Sequence, residues 1–378
     1  MPRLLHLADL HLGWTPRDLP VALAHARRAQ RDTRLHEAVD LALRERVHAV
    51  LVVGDLFDTF DPPAELVRDA RAALERLVAA GIQVVTVPGN HDEWTYARSV
   101  YRREAERWPG LLVRTPMPDH VASWTLDGAT VHLHAVAYLG GVTDVRNVLE
   151  ALPDTSGEGH HVFLGHGTLT HAGADLADER SLPLPGAALA NAGYDYVALG
   201  HLHAASERRL GRALAAYPGC VGGKGFDDPG ADAWTLVHLG AHGARVERRT
   251  ALGPAVRDLA LDVSACDDEV AVEAALGALL ERHAGDLVRV RLRGALPAPV
   301  DAGELASRCA GAAFHLRVED RTSSVAPALL EAWAASPTVR GAFVRRLRER
   351  LDATHEPVER ERVTRALRMG LSALAGEP

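Results

Sequence analysis

Val52-Val53-Gly54-Asp55-Leu56-Phe57-Asp58 is the stretch that decides how this chain is read. The aliphatic run Val50 to Val53 predicts a buried strand; Gly54 stops it and Asp55 follows at once. Apolar strands of this kind belong to parallel sheets covered on both faces, and ligands sit beyond their carboxyl ends. Asp55 is therefore expected at a sheet edge on a rigid support, where its two oxygens can bridge two cations. A Gly-Asp pair standing alone would ordinarily do no more than cap a turn.

It does not stand alone. Leu4 to Ala8 runs into Asp9-Leu10-His11, and Val84 to Val87 runs through Pro88-Gly89 into Asn90-His91-Asp92. Val162-Phe163-Leu164-Gly165 delivers His166, and Tyr196 to Gly200 delivers His201-Leu202-His203. Most of these strands end in a glycine that lets backbone approach closely. Each fragment is weak evidence of a site, but the ordered set is very hard to produce by coincidence.

With 378 residues the chain is long for one domain, and its 47% hydrophobic and 24% charged content is that of an ordinary globular protein. No apolar run approaches the roughly 20 residues of a membrane helix. Asp9 and His11 interrupt any signal-peptide pattern, and Cys220, Cys266 and Cys309 are too scattered for a disulfide framework or zinc cluster. A cytoplasmic location is expected. The net charge of −8 argues against electrostatic coating of nucleic acid but not against a nucleic-acid enzyme, whose bound cations offset charge at the site.

Strands and helices alternate over 1–255, with helices expected near 93–107, 142–151 and 185–192 and shorter strands near 206–217, 232–239 and 244–251. This order implies an α/β protein with a layered αββα sandwich. Residues 256–322 read as a small α+β unit and 323–378 as helices. In the last of these, Val339, Phe343, Leu347 and Leu351 recur every fourth residue, and Val363, Leu367, Leu371 and Leu374 repeat the design. Such stripes either pack on the chain itself or offer apolar surface to a partner.

Oxygen and imidazole donors without thiolates suit Mn²⁺, Fe²⁺ or Zn²⁺. Asp9, His11, Asp55, Asn90, His166, His201 and His203 are enough for two ions sharing Asp55. Two cations about 3.5–4 Å apart, bridged by a carboxylate and a water, make a phosphate-hydrolysis centre. His91 is left over and could give a proton or hydrogen bond to the phosphate or the leaving oxygen. His6, His48, His132, His134, His160 and His161 are expected to be packed or hydrogen-bonded, and His25, His36, His283 and His355 to lie at the surface. Arg27, Arg28, Arg31 and Arg34 read first as a solvated helix face and second as a DNA track. Lys224, in Gly222-Gly223-Lys224-Gly225, either meets a phosphate or sits in a plain turn.

The motifs DxH, GDLFD, GNHD, GH and GHLH, in that order and on those strand ends, resemble the calcineurin-like metallophosphoesterase superfamily. Leu5 to Gly13 and Gly54 to Thr59 resemble more narrowly the SbcD-type DNA repair exonucleases. The resemblance implies a four-layer αββα metallophosphoesterase sandwich with a small α+β capping domain and C-terminal helices. One metal would take Asp9, His11, Asp55 and His203, the other Asp55, Asn90, His166 and His201, both most simply Mn²⁺. His91 matches the histidine that such enzymes use on the phosphate. Where archaeal and eukaryotic relatives carry a second helper histidine this chain has Asp58, which leaves Asp58 either a catalytic part or a hydrogen bond to a metal-bound histidine. The family further implies DNA as substrate, homodimerisation and an SbcC-like SMC-type ATPase as partner, docked on 328–374. The alternatives are a phosphoesterase for a small nucleotide or phosphoprotein, and a DNA-binding subunit of an SMC-like complex.

Overall fold

The structure is a computed structural model and describes residues 1–140, 152–170, 181–296, 300–322, 327–354 and 356–375. The expected helix 142–151 lies outside the described residues. The chain divides into two compact units, Met1–Val256 and Arg257–Pro378.

In the first unit β1 (Arg3–Leu7) is followed by α1 (Val21–Asp32), α2 (Arg34–Glu45), β2 (Ala49–Val53), α3 (Ala64–Ala79), β3 (Gln83–Val87), α4 (Val100–Glu104) and β4 (Leu111–Leu112). Strands β5 (Asp119–Leu126), β6 (Ala129–Val136), β7 (His160–His166), β8 (Thr168–Thr170) and β9 (Pro183–Pro185) come next. Then follow α5 (Gly186–Asn191), β10 (Tyr196–Gly200), β11 (Ser206–Leu210), β12 (Ala213–Tyr217), β13 (Ala233–Gly240) and β14 (Gly243–Thr250).

Two six-stranded sheets result, ordered β14-β13-β1-β2-β3-β4 and β11-β12-β10-β7-β6-β5. Alternation along each strand explains their stacking. Ala49, Leu51 and Val53 of β2 join Val162 and Leu164 of β7 and Tyr196 and Ala198 of β10 in a core between the sheets. Val50 and Val52 point the other way, onto Leu35, Ala38 and Val39 of α2 and Ala70, Ala73 and Leu74 of α3. On the far face of the second sheet Phe163, Val197 and Leu199 pack with Leu189 of α5. The layers are therefore α, β, β, α. Each Val or Leu withdrawn from water in these cores contributes about 1.5–3 kcal/mol.

Three expected elements differ. The segment 206–217 is a hairpin of two strands, because Gly211 (φ 57°) turns the chain between them. Residues 93–99 are irregular and the helix begins only at Val100, whose N–H is held by Phe60 O at 2.8 Å while the Tyr96 ring packs 4.3 Å from that of Phe60. The arginine-rich stretch splits at Thr33 into α1 and α2.

In the second unit β15 (Val256–Asp262), α6 (Glu269–Leu280), β16 (Leu287–Arg293), α7 (Ala302–Arg308) and β17 (His315–Asp320) surround a core of Val272, Leu276, Val288, Val290 and Leu305. Helices α8 (Pro327–Ala335), α9 (Val339–Ala353) and α10 (Pro357–Ala375) gather around their own small cluster, with Val344 and Leu371 at its centre. Val339, expected in the stripe, is 84% exposed, and Val344 is buried instead. A helix has 3.6 residues per turn, so a four-residue spacing drifts by roughly 40° per step and its first member leaves the face.

His6, in β1, shows how tightly the two sheets close. It is wholly buried and meets Tyr196 Oη at 2.8 Å. Burial first, with Arg248 adding, lowers its pKa to about 3. A free histidine titrates near about 6.5. Its contribution to stability is thus full above that pH and is lost progressively as pH falls toward 3, because only the unfolded chain takes up the proton. His6→Gln keeps a polar partner for Tyr196 and removes the titration. In urea denaturation of metal-free protein between pH 6 and 4, it is expected to flatten the dependence of unfolding free energy by about 1.4 kcal/mol per pH unit. An unchanged slope would show that His6 is not held neutral.

Candidate metal centre

Strands β1, β2 and β3 run parallel, as do β7 and β10, and Gly200 pairs directly with His166. The loops following these carboxyl ends converge. Beyond β1 and β2 the pairing continues irregularly: Asp9 N donates to Gly54 O at 3.1 Å, His11 N to Asp55 O at 2.9 Å and Leu12 N to Leu56 O at 2.8 Å. This continuation forces unusual backbone. Asp9, His11, Asp55 and His201 have φ of 55°, 46°, 51° and 103°, four of the six non-glycine residues with positive φ among those described. Such conformations cost about 1–3 kcal/mol each and persist where the surroundings over-determine them. Gly54 (φ 82°) is required for the approach of the second sheet, since a Cβ there would lie 2.0 Å from His166 Nδ1.

The expected ligands form two overlapping groups, Asp9-His11-His203 and Asp9-Asp55-His166. Asp55 Oδ2 stands 3.4 Å from His166 Nε2 and 3.7 Å from His11 Nε2, between the two groups. Asn90 Oδ1 lies 3.0 Å from His166 Nε2 and 3.1 Å from His201 Nδ1. Asp9 accepts from His201 N at 3.1 Å and stands 4.0 Å from His203 Nε2. All seven expected ligands are brought together.

Hydrogen bonding assigns the tautomers. His11 Nδ1 meets Asp58 Oδ1 at 3.0 Å and His203 Nδ1 meets Asp228 Oδ2 at 2.5 Å. An ionised carboxylate only accepts, so each Nδ1 carries the hydrogen and each Nε2 presents a lone pair. Those two Nε2 atoms face one another at 3.1 Å. Two lone pairs at that distance repel unless a cation draws on both, and the two carboxylates beside them demand positive charge as well. The donor set thus fits divalent metal ions. Burial, with Asp55 beside it, pushes Asp9 up to about 6. Burial opposes ionisation of Asp55 too, but His166 and His11 hold its carboxyl well below the usual range. His166 is depressed by burial yet raised to about 9 by Asp55.

His91 lies at the rim. Its N–H donates to Asp55 Oδ1 at 2.9 Å, its Nδ1 to Asp58 O at 3.0 Å, and its ring meets that of His11 edge-on at 4.7 Å. With Nδ1 occupied, Nε2 is the ring atom that can take up or give a proton. Lys224 Nζ reaches Asp58 Oδ1 at 3.4 Å, which puts the lysine beside the centre.

The arginines are placed differently from either expectation. Arg27 and Arg31 are 2% and 3% exposed and donate inward, to Gly222 O and Leu10 O respectively, so neither a solvated face nor a DNA track exists there. The cause is that α1 lies against the loop around Gly222-Gly223, whose carbonyls need donors. Arg28 is half-buried, 3.6 Å from Asp32. Two carboxylates were not singled out by sequence. Asp228 has only its place in an acidic, glycine-rich loop as a signal. Asp92 is buried and ties Gly89 N (2.8 Å), Phe57 N (3.1 Å) and Tyr101 Oη (2.8 Å) together, fixing the loops of Asp55 and Asn90.

Residues 2–205 match the calcineurin-like phosphoesterase family, and the chain belongs to it. The candidate ligand cluster lies within the matched residues. Among curated relatives the chain is similar to the DNA double-strand break repair protein Mre11 of Thermoplasma acidophilum, 27% identical over 57% of this chain and 55% of that one. It is also similar to the uncharacterized metallophosphoesterase YhaO of Bacillus subtilis, 24% identical over 78% of this chain and 72% of that one. A subunit of the nuclease SbcCD of Bacillus subtilis is 26% identical over 60% of this chain and 63% of that one. The chain spans 55% to 72% of the length of these relatives.

Asp55→Ala is expected to abolish tight binding of divalent metal, seen by calorimetric titration with Mn²⁺. The apoprotein should melt lower than wild type, since the substitution leaves the buried His166 without the carboxylate that holds it charged. Retention of wild-type metal affinity would rule out Asp55 as a ligand.

Proposed function

We propose that this chain is a DNA nuclease, hydrolysing phosphodiester bonds at a centre of two divalent ions, most simply Mn²⁺, and working in double-strand break repair with an SMC-type ATPase. The observation that carries the hydrolytic part is the opposition of two imidazole Nε2 atoms 3.1 Å apart, next to a buried carboxylate that stands between His11 and His166. DNA as substrate is supported by the relatives named for break repair and for the SbcCD nuclease.

One ion would rest on Asp9, His11, Asp55 and His203, the other on Asp55, Asn90, His166 and His201. Bound ions supply Lewis-acid polarisation of phosphate oxygens and activate water. The chain's own residues do the rest. Asp58 fixes the His11 ring through Nδ1 and, through its carbonyl, the tautomer of His91. With Nδ1–H kept on that carbonyl, His91 would donate a proton or hydrogen bond from Nε2 to the phosphate or the leaving oxygen as the imidazolium, and the neutral ring left behind would carry its lone pair on Nε2. Lys224, tethered to Asp58, supplies a positive charge at the mouth where the polyanionic strand arrives.

His91→Ala should keep both ions and lose about 10²–10⁴-fold in turnover of end-labelled duplex DNA with Mn²⁺. A variant that loses an ion would make His91 a ligand instead. A chromogenic phosphodiester assayed in parallel separates a DNA nuclease from an enzyme of small nucleotides: preference for the small substrate in the wild type would refute DNA as substrate.

The C-terminal helices are proposed as the ATPase-docking element. They already bury Val344, Val363 and Leu371 yet leave Val339, Val358 and Met369 84%, 66% and 65% exposed. Removing 327–375 is expected to leave a metal-binding hydrolase that no longer co-purifies with the ATPase. Undiminished co-purification, or aggregation of the shortened chain, would refute that role.

A further inference from the structure

We infer that Arg31, with Arg27 behind it, is a positioning residue for the half of the centre built from Asp9, His11 and His203; the inference rests on the two-ion reading proposed above. A guanidinium is costly to bury unless its donors are used. Arg31, 3% exposed in the middle of the first unit, must therefore do something that a surface arginine would not.

Its contacts join two arms of the site. Nη1 donates to Leu10 O at 2.9 Å, the carbonyl between the ligands Asp9 and His11, in the segment whose backbone is forced to positive φ. The same nitrogen reaches Cys220 Sγ at 3.3 Å, and Nη2 donates to Gly223 O. The guanidinium lies 5.3 Å from the Trp14 ring, which closes the outer side. Arg27, one helical turn earlier on α1, takes the neighbouring carbonyl, Gly222 O, at 2.5 Å.

The loop so held carries charge back to the ligands. Lys224 N and Asp228 O are 2.9 Å apart, and Asp228 N returns to Gly225 O at 3.0 Å, forming a tight turn. Gly223 must be glycine, for its φ is 60° and a Cβ would lie 2.2 Å from Pro229 O. From this turn Asp228 fixes His203 Nδ1 at 2.5 Å, and Lys224 Nζ reaches the Asp58 that fixes His11. Arg31 thus touches the main chain of one pair of ligands directly and governs the third through the 220–228 turn. Its hydrogen bonds run to Leu10, Cys220 and Gly223, all on the side of Asp9, His11 and His203, so its influence falls on that half of the centre.

The test is Mn²⁺ titration calorimetry of the full chain, with circular dichroism as a check on folding. Partners that orient metal ligands are worth about 10–100-fold in affinity. Arg31→Met is expected to weaken one of the two ions by that factor and leave the other unchanged; Arg31→Lys, which can still serve one carbonyl, should fall between. Asp228→Asn reads the far end of the same chain of contacts and should weaken the same ion, which keeps the inference testable if Arg31→Met fails to fold. Excess Mn²⁺ should restore turnover in each folded variant. Equal weakening of both ions, or wild-type affinity at both in Arg31→Lys and Asp228→Asn, overturns the role of Arg31. If the wild type itself takes one ion, the two-ion reading fails separately; Arg31 then keeps its role only if that ion is weakened by Arg31→Met and by Asp228→Asn.

Discussion

Two carboxylates and several imidazoles are withdrawn from water together at this centre, and the rest of the first unit holds them there. Asp9 and Asp55 are almost wholly buried, and the Nε2 atoms of His11 and His203 face one another at 3.1 Å. The loops that carry most of these groups could not keep them assembled unaided. Parallel strands buried on both faces can, because their cores supply the free energy that the ligand cluster consumes.

The two sheets meet at the same point. His166 Nδ1 donates to Val53 O at 3.0 Å, so a residue at the end of β7 is oriented by the last carbonyl of β2. A glycine at position 54 makes that approach possible. Fold and site are consequently one arrangement: the inter-sheet core that contains Leu51, Val53, Leu164 and Ala198 also sets the distance between the ligand groups. The strained φ values of Asp9, His11 and Asp55 mark where strand pairing is prolonged to deliver side chains instead of ending cleanly.

Around this first ring lies a second of groups that never need to meet an ion. Asp58 and Asp228 fix imidazole tautomers, Asp92 binds two ligand loops together, and Arg27 and Arg31 satisfy carbonyls of the turn that carries Asp228. Their charges alternate outward from the centre: carboxylates behind the imidazoles, then guanidinium groups behind the carboxylate-bearing turn. The net charge of −8 therefore says little about the site, where most of the charged groups are committed to one another.

The sequence by itself determined the strands, and it marked the candidate ligands and their order. Five apolar runs ending in Asp, Asn or His are local signals, and Asp9, His11, Asp55, Asn90, His166, His201 and His203 are legible because each closely follows the strand that holds it. The sandwich follows from the same alternation. Tertiary structure alone decided which charged residues face inward. Arg27 and Arg31 look like a solvated stripe, since helical spacing shows which residues share a face but not what that face meets; the face meets carbonyls of a loop some 190 residues further on. Asp228 was equally hidden, for its partner His203 lies 25 residues away and nothing local links them. Val339 and Val344 exchanged places because a four-residue repeat drifts around a helix, and only packing decides which drifted residue is covered. Local chemistry is written beside the residue that needs it, whereas partners across space are set by how elements pack.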